Sequence, residues 1–421
     1  MTFEQQSEQF ETWLKSHGVE ISNKVGLHDY REAGQGRGLI ALEDIAEGDV
    51  LFTIPQTNLL AVERDPKFGE LVTKHELADW PALMAYMMLM SGTDRWAPYF
   101  AVLPSKFSTP MFWNPEQLEL LKGSAVLDKV GRAEADELYD ELASSIFKDQ
   151  AFANVDVSRE SFHRMGSLIM AYGFDVSVTG DDDDAFKAMV PLADMLNSHT
   201  VLGNARLEMP ENVDGVLEMV ASKDIKKGEQ VYNVYGDLSN GELLRRYGYV
   251  EAGGTEYDMA EVSMEALIKS VAKVEGLKVE QIEERVEELQ EYDEELLDDG
   301  YDVVYPGMPD VNLVAVANAL TLALPAKKAI KTAIEMADEE EITAEGRLAL
   351  QDLIETRLQD YQETNALTEP EDSTKIYTDI NDMCNQVLAS ERKILERALE
   401  WVRASDDGAA EPAAKRRHVT A

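Results

Sequence analysis

The spacing of hydrophobic residues changes along the chain and predicts strands in some regions and helices in others. Over 3–17 the apolar residues recur every three or four positions, which predicts a short amphipathic helix. Farther along, the β-rich runs 215–220 and 230–235 flank the turn 226–229, which predicts a hairpin-like pair of strands. Both kinds of element therefore belong to one chain.

A long helical region separates the N-terminal residues from this pair of strands. Within 70–188, the segments whose apolar residues follow a helical period are 83–90, 115–121, 133–147 and 161–174. The first of them carries a cluster of methionines, namely Met84, Met87, Met88 and Met90. Unbranched methionine side chains fill irregular gaps in a core, so we interpret these residues as core and not as ligands.

Beyond residue 260 the pattern is helical throughout. The predicted helices cover 279–299, 311–336 as an apolar, alanine-rich pair, 345–362 and 376–404. A coiled-coil oligomer is the alternative, but no apolar heptad continues unbroken for three repeats. The segment 405–421 is rich in alanine, proline and aspartate and is predicted to be disordered.

Length and composition limit the compartment and the class of protein. A chain of 421 residues allows two or three domains and a sizeable core. No apolar run is long enough to cross a membrane, and the acidic N-terminus is unlike a signal peptide. The single Cys384 excludes an internal disulfide and fits a reducing compartment. We therefore expect a nuclear or cytoplasmic protein.

Histidines and carboxylates do not form a metal-binding motif in the sequence. The six histidines are scattered, and 75–79 lacks the second histidine of a zinc-protease helix. The four contiguous aspartates at 181–184 lack the alternating spacing of a calcium loop. We predict no metal and interpret 181–184 as a solvated loop, with contact to a basic substrate as the alternative.

The net charge of −42 is extreme for a folded protein. Such a field repels the phosphates of nucleic acids and attracts cations, which favours a basic protein as the partner over DNA or RNA. The alternative is that the acidity only supports solubility. A basic cluster at 415–418 is typical of a nuclear import signal and favours the nucleus over the cytoplasm.

The stretch 189–250 is the strongest candidate for a site. An apolar run ends there in the polar residues Asp194, Asn197 and Ser198, and four tyrosines follow. Gly236 breaks the second β-rich run directly after one tyrosine, where it permits a sharp turn and the close approach of a ligand. On spacing alone, core aromatics with satisfied hydroxyls are the alternative interpretation.

A second candidate is the segment GQGRGLIA at 34–41. Its third glycine is misplaced for the dinucleotide-binding fingerprint, and no helix opens after it. The residues alone therefore indicate a tight turn between two short strands.

Taken together, these features resemble the SET-domain protein methyltransferases. The segments that carry the resemblance are 189–250, GQGRGLIA at 34–41 with DIAEGD at 44–49, and PYFAVLP at 98–104 with TPMFW at 109–113. They narrow it to the subfamily of the plant Rubisco large-subunit methyltransferase. Within that subfamily the chain is most similar to SET-domain-containing protein 6 and the fungal ribosomal-protein lysine methyltransferases.

The resemblance implies an α+β fold with a defined order of domains. A β-rich SET domain over 21–250, with a helical insertion at about 65–188, follows an N-terminal helix within 1–20. An all-α substrate-binding domain over 260–404 comes next. The implied methyl donor is S-adenosylmethionine, and the implied acceptor is a lysine of a basic non-histone protein such as a ribosomal protein.

The resemblance also assigns roles to single residues. Tyr235 occupies the position of the catalytic tyrosine. The residues assigned to the methyl donor are Gln35, Gly36 and Arg37, through their backbone, with Tyr172, Asp194, Asn197, Ser198, Tyr247 and Tyr249. Where relatives carry a histidine after the asparagine, this chain has Ser198 and then His199.

Two other functions stay open at the level of sequence. One branch of the subfamily modifies a histidine of actin, which makes a protein-histidine methyltransferase the alternative enzyme. A non-catalytic SET-fold binding module is the alternative from another class, and Ser198 is its only support. The presence of Tyr235, Asn197 and the glycine segment argues against it.

Overall fold

The computed structural model describes residues 1–177, 185–210, 215–361, 372 and 374–404. The expectations for the aspartates 181–184 and for the tail 405–421, with its basic cluster, lie outside these residues. The described chain has two large hydrophobic cores, one formed by residues up to Val231 and one by residues from Ala260 onward.

The elements of the first part of the chain are, in order, α1 (Phe3–Ser16), β1 (Glu20–Ile21), β2 (Val25–Asp29), β3 (Arg37–Ala41), β4 (Val50–Pro55), α2 (Pro66–His75), α3 (Asp79–Ser91), α4 (Ala97–Phe100), α5 (Pro115–Leu118), α6 (Arg132–Ser144), α7 (Arg159–Tyr172), β5 (Gly173–Val176), β6 (Phe186–Met189), β7 (Asn197–Ser198), β8 (Ala205–Glu208), β9 (Val216–Ala221), β10 (Gln230–Asn233), α8 (Asn240–Tyr247) and β11 (Val250–Glu251). Short 3₁₀ turns connect several of them.

The N-terminal helix α1 forms where its spacing predicts it. A capping box starts it, in which Thr2 Oγ1 accepts from the Gln5 amide and Gln5 Oε1 accepts from the Thr2 amide. One face buries Phe10, Trp13 and Leu14 in the first core. This apolar stripe fixes the helix against the domain.

The β-rich part consists mainly of two four-stranded sheets, with orders β1-β4-β9-β8 and β2-β3-β10-β7. The predicted hairpin-like pair is therefore wrong: β9 pairs with β4 and β8, whereas β10 pairs with β3 and β7. The physical reason lies between the two strands, where Ile225 forms a bridge with Ile45 and carries the chain from one sheet to the other.

The helical insertion contains α2 to α7, and the methionine cluster on α3 is core as expected. Met84, Met87 and Met88 are buried. The helix predicted over 161–174 ends at Tyr172, because Gly173 opens β5 and pairs with Met189 of β6. Glycine disfavours helix continuation, so the strand pairing determines where this helix ends.

The elements of the second part are β12 (Met259–Ser263), α9 (Met264–Glu275), α10 (Val279–Gln290), β13 (Gly300–Val304), β14 (Met308–Pro309), α11 (Val311–Thr321), α12 (Ala326–Asp338), α13 (Ala344–Asp360), β15 (Ile376–Tyr377) and α14 (Ile380–Ala404). Helices dominate it, as the α+β fold with a helical C-terminal region requires.

The expectation of an all-α C-terminal region needs a correction, because β12, β13 and β14 form a three-stranded antiparallel sheet. The helix predicted over 279–299 ends at Gln290, and Gly300 begins a strand. β12 buries alternate residues, Ala260 and Val262. A run of five residues is too short for its period of two to stand out beside long helices.

The two parts of the molecule are joined by backbone pairing and by a small third core. β11 pairs antiparallel with β15, and buried apolar residues of α8, α14 and the insertion pack together beside this pair. Cys384 lies buried in this joint. In the described part of the chain no helix is long and apolar enough to cross a membrane, and no three His, Cys, Asp or Glu side chains are placed to hold a metal ion.

Candidate active site

Three short strands bring distant segments of the chain together. β10 pairs antiparallel with β3 and parallel with β7. The glycine segment 34–38, the strand of Asn197 and Ser198, and the residues before Tyr235 thereby become neighbours. Strand pairing alone thus assembles the segments that the sequence singled out.

Glycines determine the shape of the segment 34–38. Gly34 and Gly36 have φ angles of 78° and 77°, in the left-handed region that glycine adopts without steric cost. Gly38 serves a different purpose, since a Cβ atom there would lie 2.7 Å from Asn197 Nδ2. Two glycines make the turn, and the third allows β3 to approach β7.

A cleft of about 1130 Å³ opens over this junction. The predicted site residues that line it are Gln35, Gly36, Tyr172, Asn197, Ser198, Tyr235, Tyr247 and Tyr249. The interpretation of these tyrosines as purely core aromatics is therefore not favoured. The structure gathers all predicted site residues here except Arg37 and Asp194.

Sequence reasoning missed two groups that line the cleft. Lys106, Phe107 and Ser108 begin two residues after the end of the motif PYFAVLP, which could have indicated them. Ile376 and Thr378 come from the second part of the chain, beside β15. No local pattern marks these last two residues, because they reach the cleft only through the pairing of β11 with β15.

The side chain of Arg37 points away from the cleft. Its Nη1 donates to the Val102 carbonyl at 2.8 Å and its Nε to Ser7 Oγ at 3.0 Å. The guanidinium lies 4.0 Å from the ring centroid of Phe3, and desolvation lowers its pKa. The side chain thus ties β3 to α1, and only the backbone of Arg37 is left to serve the cleft.

Asp194 lies outside the cleft and is held by the core beneath it. Its Oδ2 accepts from the Tyr99 hydroxyl at 2.5 Å, and its Oδ1 accepts from the Leu192 amide at 3.1 Å. Burial raises the pKa of Asp194 to about 8, although both hydrogen bonds oppose the shift. Asp194 borders a second cavity instead.

This second cavity, of about 560 Å³, shares a wall with the cleft. Tyr172, Tyr235 and Tyr247 line both spaces. On the side of the second cavity the lining includes the carboxyl groups of Asp175 and Asp194. An aromatic wall therefore separates a large, polar cleft from a smaller cavity with acidic groups.

Tyr235 is fixed within this wall. Its hydroxyl donates to the Leu196 carbonyl at 2.7 Å, and its ring stacks on Tyr247 with centroids 4.6 Å apart. Burial raises the pKa of Tyr235 well above its usual value, and the nearby Tyr249 adds to the shift. The hydroxyl therefore keeps its proton at neutral pH and has one defined orientation.

Ser198 positions Tyr235 and Tyr249 through two hydrogen bonds. Its Oγ accepts from the Tyr235 amide at 3.2 Å, and its carbonyl accepts from the Tyr249 hydroxyl at 3.4 Å. His199 is fully buried, with Nδ1 accepting from the Val201 amide at 3.2 Å. The serine thus joins β7 to both tyrosines, while the histidine lies in the core.

Asn197 lines the cleft and has a side-chain donor without a partner in the described part of the chain. Its Nδ2 is buried without a hydrogen-bond partner among the described residues, as is Nε2 of the neighbouring Gln230. Leaving a buried donor unpaired costs about 1–3 kcal/mol, so such a group is suited to a polar ligand. A Cβ atom at Gly36 would meet nothing within 4 Å, which leaves open space over the loop backbone.

Comparison with known proteins identifies relatives of this chain. A sequence profile of the SET domain matches residues 36–236. The chain is 33% identical over 359 residues to ribosomal lysine N-methyltransferase 4 of Saccharomyces cerevisiae, which covers 76% of this chain and 72% of that protein. It is 31% identical over 266 residues to N-lysine methyltransferase setd6 of Xenopus laevis, covering 58% of this chain and 56% of that protein.

Solved structures show the same fold. The SET domain of LSMT bound to lysine and AdoHcy superposes with a TM-score of 0.72 at 17% sequence identity, covering 96% of this chain and 92% of that one. Rubisco LSMT bound to AdoMet gives a TM-score of 0.69 at 18% identity, with coverage of 95% and 92%. The likeness extends over both parts of the molecule.

Proposed function

This chain belongs to the SET-domain protein-lysine methyltransferases, enzymes that use S-adenosylmethionine, and we propose that its substrate is a basic ribosomal protein. The observation that carries the function is the wall shared by the cleft and the second cavity. Methyl transfer from a sulfonium is an in-line displacement, so donor and acceptor must approach from opposite sides. Two cavities that meet at Tyr172, Tyr235 and Tyr247 supply that arrangement.

The cleft is the donor side. Its unpaired Asn197 amide and the open backbone of Gly36 suit the polar parts of S-adenosylmethionine. When bound, this donor supplies a methyl group activated by a positively charged sulfonium and leaves as a neutral thioether. The protein therefore does not have to protonate the leaving group, and its work is to position and to desolvate.

The second cavity is the lysine side. A free lysine has a pKa near 10.4, so only about one in a thousand is neutral and nucleophilic at pH 7. The Asp175 carboxylate attracts the ammonium to the cavity. The Asp194 carboxyl group, whose pKa burial raises to about 8, is mostly neutral at pH 7, and it favours the neutral amine together with the tyrosine rings, which exclude water. Entry and activation are thus served by different walls of one cavity.

Tyr235 is the residue that orients the reacting groups. Because its pKa is raised by burial, it stays a neutral phenol at neutral pH and is a poor base. Its hydroxyl is fixed on the Leu196 carbonyl and its ring on Tyr247, so its edge and oxygen hold a constant position at the shared wall. Positioning of this kind supplies most of the acceleration in such a reaction.

The class of substrate is supported by charge and by the relatives. A net charge of −42 favours encounter with a cationic protein. The fungal relative at 33% identity is a ribosomal lysine N-methyltransferase by name. We further propose that the enzyme acts in the nucleus, with the cytoplasm as the alternative, since ribosomal proteins and the basic cluster at 415–418 fit that compartment.

The test is to incubate the purified full-length protein with methyl-labelled S-adenosylmethionine and extracted ribosomal proteins, and to locate the label by mass spectrometry. We expect label on a lysine of one basic protein. Tyr235→Phe should slow turnover by about a hundredfold or more, because it removes the fixed hydroxyl, while the donor dissociation constant changes less than about threefold.

The matched control is Tyr86→Phe, which removes the hydroxyl of another buried tyrosine, one packed on Phe68 in the insertion. It should leave turnover unchanged. Label on histidine, or donor binding without label on any ribosomal protein, would contradict the proposed substrate. Loss of donor binding together with turnover in Tyr235→Phe would show a structural role for that residue.

A further inference from the structure

A third cavity, of about 710 Å³, lies among α3, α6 and α7 of the insertion and α8, next to the lysine-side cavity. Most of its lining is apolar, with Trp80, Met84, Leu138, Phe162 and Met170 as the large side chains. Trp80 and Met170 are each 36% exposed at its edge. An apolar space of this size, reached through adaptable side chains, suits a large hydrophobic group.

The cavity is adjacent to the lysine-side cavity along two helices. On α7, Ser167 and Met170 line the apolar cavity, and the next residue, Ala171, lines the lysine side. On α8, Arg246 lines the apolar cavity and Tyr247 the lysine side. Consecutive residues point about 100° apart around a helix, so the two spaces lie on different faces of α7 and α8. A helix with its side chains is about 10 Å across, a distance that an extended peptide covers in about three residues.

One polar group of the lining lacks a partner. His163 is 4% exposed, and its Nδ1 is buried with no hydrogen-bond partner among the described residues. Its Nε2 lies 2.8 Å from Asp136 Oδ1. Hydrogen bonds from Arg159, His163 and Arg132 lower the pKa of Asp136 to about 2, so this carboxylate only accepts and Nε2 carries the hydrogen.

The protonation state of His163 determines which hydrogen-bonding group of a ligand it can bind. Desolvation lowers the pKa of His163 and keeps the ring neutral at pH 7. With the hydrogen on Nε2, the free Nδ1 is an acceptor. A group that fills this cavity without offering a donor leaves that acceptor unpaired, whereas a group that bears an N–H or O–H satisfies it.

The charged residues at the cavity do not favour a charged occupant. Arg245 and Arg246 both line it, and both are paired with Glu242, at 2.8 Å and 2.6 Å. A lysine or arginine side chain would bring a further cation beside them, and an acidic one would compete with Glu242. The best occupant is therefore neutral.

From the apolar lining, the neighbouring lysine-side cavity and the unpaired His163 acceptor, we propose that this cavity binds a tyrosine or tryptophan side chain of the substrate, within about three residues of the target lysine. This inference rests on the proposed function, because it treats the second cavity as the lysine side. Phenylalanine would fill the space but leave Nδ1 without a donor. The cavity would thus select the sequence around the methylated lysine.

The experiment uses a peptide library with one central lysine, each flanking position varied in turn, and labelled S-adenosylmethionine with the full-length enzyme. One position within three residues of the lysine should prefer tyrosine or tryptophan. Alanine there should lower kcat/KM by about 10- to 100-fold, and phenylalanine by about tenfold relative to tyrosine.

Two variants assign the preference to this cavity. Ala135→Phe places a ring into the lining of the cavity and should abolish the aromatic preference, whereas Ala133→Phe, on the exposed side of α6, should retain it. His163→Leu should keep the preference for aromatics and lose the distinction between tyrosine and phenylalanine. Melting temperature and donor affinity verify that each variant is folded.

The outcomes separate the two proposals. Methylation of lysine with no aromatic preference at any flanking position would overturn this inference and leave the lysine methyltransferase activity standing. A preference that survives Ala135→Phe in a folded variant would also overturn it. If no lysine peptide and no ribosomal protein accepts a methyl group, the proposed substrate and this inference both fail.

Discussion

At the scale of single residues, the candidate site depends on how closely two strands approach. Gly38 lies in β3, and a Cβ atom there would be 2.7 Å from the side-chain atom Asn197 Nδ2 and 2.9 Å from Tyr30 Cδ2. Real Cβ atoms do not tolerate such distances, so any side chain would displace the amide of Asn197. That amide belongs to a residue that lines the cleft, and its nitrogen is buried without a partner among the described residues.

Gly38→Ala should therefore weaken donor binding by at least about tenfold, since it removes one hydrogen bond and shifts a wall of the cleft. Isothermal titration with S-adenosylmethionine measures the effect. The matched control is Gly26→Ala in β2 of the same sheet, where a Cβ atom would meet only the flexible end of Leu42, at 3.2 Å.

We expect Gly26→Ala to change the dissociation constant by less than about twofold. Both variants replace a glycine in a strand by alanine, so their backbone effects are similar. Equal affinities for the two variants would contradict the role of the Gly38–Asn197 approach in forming the donor site.

At the scale of elements, α14 connects the insertion to the second part of the molecule. Glu391 lies on its buried face, where Oε1 accepts from Ser124 Oγ at 2.6 Å and Oε2 accepts from the Tyr361 hydroxyl at 2.9 Å. Burial raises the pKa of Glu391 to about 7. The carboxyl group thus has two partners in the joint, but its ionised form lowers the stability of the fold because it is buried.

This predicts a pH-dependent difference in stability between the parent and Glu391→Gln. The folded-state pKa of about 7 lies above the ordinary 4.5. The folded parent therefore binds a proton more tightly than the unfolded chain, and its unfolding free energy falls as pH rises through 7. Glutamine does not titrate, so the stability of the Glu391→Gln variant relative to the parent should increase by about 3 kcal/mol between pH 4 and pH 8.

Denaturant unfolding at a series of pH values measures this difference. The control is Glu400→Gln, which removes a carboxyl group from the exposed face of the same helix and leaves the joint intact. If the stability of Glu391→Gln relative to the parent stays flat or falls as pH rises, the pKa of the Glu391 carboxyl group is not raised in the folded protein.

At the scale of the whole molecule, charge and architecture act together. The formal charge of −42 belongs to a molecule whose proposed substrate is a cationic protein. Long-range attraction of this kind raises the rate of encounter more than the strength of the final complex. The acidic surface is thus interpreted as part of substrate capture.

If so, kcat/KM for the basic protein substrate should fall by about tenfold between 50 and 500 mM salt, since the Debye length shortens from about 14 Å to about 4 Å. Initial-rate kinetics at fixed, saturating donor measure this. A short neutral peptide carrying one lysine should show a much smaller decrease. Salt-independent rates for the protein substrate would contradict electrostatic attraction of the substrate by the acidic surface.

The sequence by itself determined the helices with strong apolar stripes, the glycine turn, and the segments of the site. Buried stripes such as Phe10, Trp13 and Leu14 are encoded within three or four neighbouring positions, so they can be read locally. The grouping of Gln35, Asn197 and Tyr235 came from the resemblance to a family and not from spacing.

Only the tertiary structure decided which strands pair, where Asp194 faces, and which distant residues complete the cleft. β9 and β10 look like a hairpin in sequence but enter different sheets, because backbone pairing is chosen by the whole core. Asp194 turns inward because Tyr99 and an amide hold it there. Ile376 reaches the cleft because β15 pairs with β11. These contacts join residues far apart in the chain, and local periodicity carries no information about them.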